Sequence, residues 1–176
     1  MRNRAQRQLF VSSLSGAATR GMLRMGGISL PCALGRAGRR ALKREGDGAT
    51  PIGSFALERV LYRPDRVQRP VTGLPVEAIG PNDGWCDSVQ DRNYNRAICH
   101  PYPASAEFLW RNDALYDIIV VLAYNRRPCV RGRGSAIFMH VARPGYEPTE
   151  GCIALKLSDL QMVLKRLGRH ARVRVP

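Results

Sequence analysis

The sequence has no acidic residue before Glu45, although ten of its 28 lysines and arginines precede that position. The first quarter of the chain is therefore purely cationic, and the whole chain carries +14. Such a balance suits attraction to nucleic acid, an anionic membrane surface or an anionic cell-wall polymer. The specific marks of nucleic-acid recognition are missing. Arg2 to Arg44 holds one aromatic residue, Phe10, with no zinc-ligand spacing and no aromatic box of the RNA-binding kind. A solvated basic face is the preferred reading, and no nucleic-acid partner is expected. Long apolar runs are also lacking: the longest candidate, Tyr116 to Tyr124, falls far short of the roughly 20 residues a membrane helix needs. No transmembrane segment is expected. The five cysteines, Cys32, Cys86, Cys99, Cys129 and Cys152, include no CxxC pair and are odd in number, so neither a zinc site nor a disulfide framework is favoured. Met1 to Gln8 is basic, but Leu9 to Ala18 carries three serines and a glycine where a signal peptide needs an unbroken apolar core. Internal repeats are absent.

What remains is a chain of 176 residues, 44% apolar, long enough to bury a core as one domain. Short apolar pieces at Leu9–Val11, Met22–Leu23 and Ile28–Leu30, separated by Ser-Gly and Gly-Gly, predict a β-meander. Arg36 to Gly48 reads as structural turns, since no phosphate-cradling GxxxxGK[ST] run is present. Phe55 to Tyr62 and the β-branched run Asp117 to Ala123 predict strands, the second central and buried, with Ala136 to His140 as its partner. Ser105 to Arg111 predicts a short helix capped by Ser105. Leu157 to Leu167 has apolar residues at helical spacing, with Ser158 as N-cap and Gly168 as stop, and Ala171 to Val175 closes the chain as a strand. Arg63 to Pro103, rich in Pro, Gly, Asp and Asn, is too long for an ordinary connection. Its Asp83, Trp85, Asp87, Tyr94, Asn95 and His100 are placed either to line a cleft or to anchor the segment to the core.

Chemistry concentrates between Ser135 and Leu155. A short apolar run ends on His140, and a loop containing Pro144, Gly145 and Pro148 leads to Gly151-Cys152. A thiol attacks as thiolate, so a nucleophilic cysteine needs a base nearby, and a turning loop can bring His140 to Cys152 although they lie twelve positions apart. Gly151, without a side chain, lets a carbonyl approach and leaves backbone N–H groups for a developing oxyanion.

This stretch resembles the catalytic motif of the L,D-transpeptidase (YkuD) family, in which a histidine on one strand is followed by a Ser/Thr-His-Gly-Cys box. Here the box reads Thr149-Glu150-Gly151-Cys152, and Glu45 to Phe55, EGDGATPIGSF, resembles the family's glycine-rich segment ending in TP-x-G-x-F. The sequence departs at Glu150, where the box has histidine, and at Ala154, where Asn or Arg is usual; its His-to-Cys spacing is also short. The resemblance implies a mainly β fold with one or two short helices, a YkuD-like catalytic β-sandwich or barrel with a long loop insertion. The chain is then one catalytic domain over residues 1–176 with a loop-rich insertion at about 63–104.

The implied function is acyl transfer on peptidoglycan stem peptides through a thioester, in cell wall cross-linking or remodelling. Cys152 is then the nucleophile, His140 its base, and Gly151 with the Cys152 amide the oxyanion site. Arg143, Thr149 and Glu150 in the loop, and Trp85 and Tyr94 upstream, are the candidate substrate-binding residues. Glu150 is expected to point away from the sulfur, because a carboxylate facing it would hold the thiol protonated. It would instead bind a backbone donor, an arginine or the acceptor's amine. No metal or organic cofactor is implied, because the thioester is its own intermediate. A hydrolase on the same scaffold, L,D-carboxypeptidase or amidase, and a basic binding protein without chemistry stay open as alternatives. The family implies the periplasm or cell envelope, the sequence leaves a cytoplasmic pool open, and it does not fix an oligomeric state.

Overall fold

The computed structural model describes residues 6–176; most of the basic start Met1–Gln8 lies outside them. The meander expected at the start is there. Strands β1 (Gln6–Ser12), β2 (Arg20–Met25) and β3 (Ile28–Ala33) pair antiparallel in sequence order. After two-residue strands β4 (Arg39–Arg40) and β5 (Thr50–Pro51), the long β6 (Gly53–Tyr62) begins. The segment read as a loop carries β7 (Val76–Ala78), β8 (Asp83–Cys86) and β9 (Ala97–Cys99). Then come β10 (Ala106–Phe108), β11 (Ile118–Leu122), β12 (Phe138–Val141), β13 (Ile153–Leu155), helix α1 (Leu157–Leu164) and β14 (Leu167–Val175).

Eight strands close a mixed barrel in the order β11-β12-β13-β3-β2-β1-β14-β6, with β6 returning to β11 and β7 attached at the edge of β6. Two of the pairings within the barrel, β12 with β13 and β1 with β14, are parallel, as is that of β7 with β6. Among the described residues the fold is thus mainly β with one α-helix. The resulting period-2 alternation sorts side chains into two cores. Ile118, Val120, Leu122, Met139, Val141, Ile153 and Leu155 face the larger one, which Leu160, Val163 and Leu164 of α1 help to fill. Ile119, Val121, Phe138 and Cys152 face a second core outside the barrel wall. That outer face is covered by a three-stranded sheet, β10-β8-β9, whose Trp85 meets Phe138 edge-on at 5.1 Å. Burying each such side chain contributes roughly 1.5–3 kcal/mol, so the wall that carries the candidate site is held from both sides.

Three local expectations change. Ser105 to Arg111 is not a helix: Ala106, Glu107 and Phe108 pair with Cys86, Trp85 and Gly84, and this tertiary pairing overrides the capping signal. Helix α1 begins at Leu157, but its N-cap is Lys156, which makes no side-chain cap bond, so Ser158 is not the cap. It also ends at Leu164, because Leu167 and Gly168 already belong to β14.

Candidate active site

Register places the two reactive groups. In the parallel β12–β13 pair His140 lies abreast of Ala154 and Met139 abreast of Ile153. Cys152, two residues before Ala154, shares its face, and the Phe138 N–H donates to Cys152 Sγ at 3.3 Å. Thiol and imidazole are therefore diagonal neighbours on one face of the sheet, and both line a cleft of about 410 Å³. Parallel pairing is what allows this, because the loop from Val141 to Gly151 carries the chain back to the start of the neighbouring strand.

The Cys152 thiol donates to the Ala136 carbonyl at 3.3 Å. Ala136 sits at φ +50°, and its N–H donates to Asn95 Oδ1 at 3.1 Å. The same oxygen accepts from Trp85 Nε1 at 3.0 Å, while Asn95 Nδ2 holds the Tyr124 and Asn125 carbonyls. Asn95 thus fixes the turn that aims Ala136 at the sulfur. Burial pushes the Cys152 thiol up to about 12. His140 is also buried, and burial lowers its imidazole to about 4. Its Nδ1 lies 2.8 Å from the Val141 carbonyl, which can only accept, so Nδ1 carries the proton and Nε2 the lone pair. The resting pair is a neutral thiol and a neutral imidazole of defined tautomer.

Gly151 is at φ +129°, and a Cβ there would come within 2.7 Å of the Ala49 carbonyl oxygen, so only glycine fits. Its N–H is not free, as it donates to Thr149 Oγ1 at 3.1 Å. Thr149 Oγ1 in turn donates to the Cys152 carbonyl at 2.7 Å. The threonine hydroxyl therefore staples the box shut. Thr149→Val should lower stability by about 1–3 kcal/mol in thermal unfolding, whereas Thr149→Ser should hold near the parent.

Glu150 pairs with Arg36 at 2.7 Å, both side chains largely exposed, so its carboxylate is committed to an arginine. Arg143 lies at the cleft with its guanidinium 4.0 Å from Glu147. Ala154 leaves the cleft open opposite His140. Trp85 and Tyr94 require correction as substrate-binding candidates. They are 1% and 3% exposed, Trp85 packed in the outer core and Tyr94 donating its hydroxyl to Glu45 and accepting from the Gly134 N–H. Of the six residues of the middle segment singled out for the cleft, Asp87 alone lines it.

Several cleft residues carry no motif. Glu107 on β10 accepts from the Tyr116 hydroxyl at 2.6 Å, and burial raises its carboxyl despite that bond, with Asp87 and Glu45 adding to the rise. The Tyr116 ring meets the His140 ring edge-on at 5.5 Å, which holds the imidazole in place. Arg111 faces Asp113 through two bonds of 2.8 and 2.7 Å. Lys43 is buried against Asp47 at 2.6 Å. Among the described residues, all five cysteines are free thiols, no cluster of three metal-type ligands occurs, and no helix is long and apolar enough to cross a membrane.

No curated protein matches the chain. Among solved structures, an L,D-transpeptidase from Mycobacterium smegmatis aligns with a TM-score of 0.44 at 12% identity, over 98% of this chain and 59% of that one. The chain thus spans less than two thirds of that protein's length. A family model, the L,D-transpeptidase catalytic domain (YkuD), matches residues 15–175, a span that includes both strands of the thiol–imidazole pair and the loop between them. The chain belongs to the L,D-transpeptidase catalytic domain family.

Proposed function

We propose that this protein is a cysteine acyltransferase, an L,D-transpeptidase that remodels or cross-links peptidoglycan stem peptides through a thioester on Cys152. The observation that carries the reading is the pairing of a buried thiol with a neutral imidazole of fixed tautomer on adjacent parallel strands, facing one cleft. Nε2 of His140 takes the thiol proton as Sγ attacks the substrate carbonyl. The oxyanion forms beside the Cys152 N–H. Collapse breaks the C–N bond, and the imidazolium gives its proton to the departing amine. The acceptor's amine then attacks the thioester, its proton passes to His140, and the thiolate is released and reprotonated as the new amide forms. Because both groups rest uncharged, the proton moves with the attack rather than before it.

Arg143 is assigned to a substrate carboxylate, to which its long contact with Glu147 yields. Glu150 and Thr149 hold the loop instead of touching substrate. The cell envelope is the location the family suggests, and no cofactor enters the scheme. The test is product analysis with a stem-peptide donor, with and without a second peptide bearing a free amine. A transpeptidase gives the new amide only when the amine is present. Release of the free acid alone, at a rate the amine does not change, would instead assign the scaffold to hydrolysis. Absence of both products would end the acyl-transfer reading.

A further inference from the structure

Charge is compensated unevenly around the barrel. Arginines at the cleft and its cover have carboxylates, Arg36 with Glu150, Arg63 with Asp65, Arg111 with Asp113 and Arg126 with Glu58. The adjacent strands β3, β2, β1 and β14 contain no acidic residue. Leu9, Leu23 and Val173 point from them into the larger core, so the alternate positions face out. There Arg24 and Arg174 flank Phe10 as its cross-strand neighbours, and Arg172 stands two residues along β14 from Arg174. All three arginines are exposed, and none has a carboxylate at ion-pair distance among the described residues. Arg172 is held by Ser54, whereas Arg24 and Arg174 make no side-chain hydrogen bond among those residues.

Exposed apolar side chains gather at one end of this face. Phe10 is 44% exposed, Leu14 104% and Ile52 39%. Leu14 lies in the turn after β1, which Arg39 ties to the end of β14 by donating to the Ser15 and Pro176 carbonyls. The Ile52 N–H donates to the carbonyl of the exposed Arg40, and Ser54, two residues on, is the cross-strand neighbour of Arg174. A single exposed apolar residue needs no partner, but three at the rim of one cationic face match a surface that enters a lipid interface. Strand order puts this face across the barrel from the thiol and imidazole. β1 is three strands from β13 in one direction, and β14 is three from β12 in the other.

We propose that the outer face of β2, β1 and β14, with the Leu14 turn and Ile52, docks the protein on an anionic phospholipid surface and turns the cleft away from the lipid. The guanidinium groups meet lipid phosphates, while the arginine stems and the apolar residues lie in the headgroup layer. The apolar residues select lipid over nucleic acid, since Leu14 and Ile52 offer no π-face on which a base stacks. A second copy meeting this face with its own would set arginine against arginine. The basic face read from the sequence as solvated is then an attachment surface.

Co-sedimentation of the full chain with vesicles tests this, one set of pure phosphatidylcholine and one with about a third phosphatidylglycerol. Binding is expected to the second set only, and to weaken as salt is raised. Arg24→Gln with Arg174→Gln should lower partitioning about 25-fold, or about fivefold per arginine. Arg131→Gln with Arg133→Gln, the same charge change in the exposed loop between β11 and β12, should lower it far less. Phe10→Ser with Leu14→Ser should weaken binding at unchanged charge. The first pair should keep the parent's melting temperature and its product formation from a soluble donor, so its binding loss is neither a folding loss nor a damaged cleft. Cys152→Ala should bind vesicles as the parent does, which separates docking from the acyl-transfer reading. Equal binding to both vesicle sets, binding to neither, equal losses in the two arginine pairs, or serine variants that bind like the parent would overturn the docking face. So would capture of a single-stranded oligonucleotide through Arg24 and Arg174 with vesicles left unbound.

Discussion

Cys152→Ala forms no product from a stem-peptide donor and remains folded. In the proposed reaction this removes the nucleophile outright, so the expected effect on turnover is complete. The structural cost is bounded by what the sulfur touches: it donates to the Ala136 carbonyl and accepts from the Phe138 N–H, each at 3.3 Å. Leaving one buried N–H without its acceptor costs about 1–3 kcal/mol. Cys152→Ser keeps an acceptor for that N–H and should melt closer to the parent while being equally inactive. Circular dichroism and thermal unfolding of both variants, beside product analysis, check this. A folded variant that still turns over would remove Cys152 from the chemistry.

His140→Ala should slow acylation of Cys152 by about 100- to 10,000-fold, the usual loss for a positioned base. The pH dependence follows from the same group. With its folded value near 4, His140 is neutral and able to accept a proton through the neutral range, so parent acylation should fall only as pH drops toward 4. The variant should lack that acid limb. Stability follows with the opposite partner in the linkage. Between pH 6.5, the ordinary value, and 4, the unfolded chain binds a proton at this histidine and the folded chain does not. Stability therefore rises with pH across that window and is lost on acidification, by on the order of 3 kcal/mol in total. His140→Gln should flatten this window in urea titrations at stepped pH. Identical rate profiles for parent and His140→Ala would show that the imidazole is not the base.

How much of this was legible in the sequence depends on how local each signal is. His140 and Cys152 were readable because the strand end, the Pro/Gly loop and Gly151 lie within one stretch, and Gly151 is the residue whose φ no other side chain accepts. Strands β6 and β11 announced themselves by apolar runs, and β14 by the alternation of Ala171, Val173 and Val175 with arginines. The cover of the site did not. β8, β9 and β10 are three or four residues long and exist only through pairing with one another, so Arg63 to Pro103 reads as loop and Ser105 to Arg111 as helix. For the same reason Glu107 and Asp87 carry no motif, since what makes them notable is burial beside a cleft that a nonlocal register builds. Trp85 and Tyr94 were the converse: aromatic residues in a polar segment suggest a binding wall, yet their polar atoms bond Asn95 and Glu45 and their rings fill the core. Asn95 offers only its residue type in an Asn-rich segment, a type that tolerates the φ of +58° it adopts, and its role in aiming Ala136 at the thiol needs the fold.

The central claim is that Cys152 is an activated acyl acceptor, and the most direct measurement is the mass of the intact protein after incubation with a carbapenem, followed by peptide mapping. The account predicts one ring-opened adduct, located on the peptide that contains Cys152 and absent from Cys152→Ala, with Cys32, Cys86, Cys99 and Cys129 unmodified. An unmodified parent, or an adduct that persists in Cys152→Ala, would contradict it.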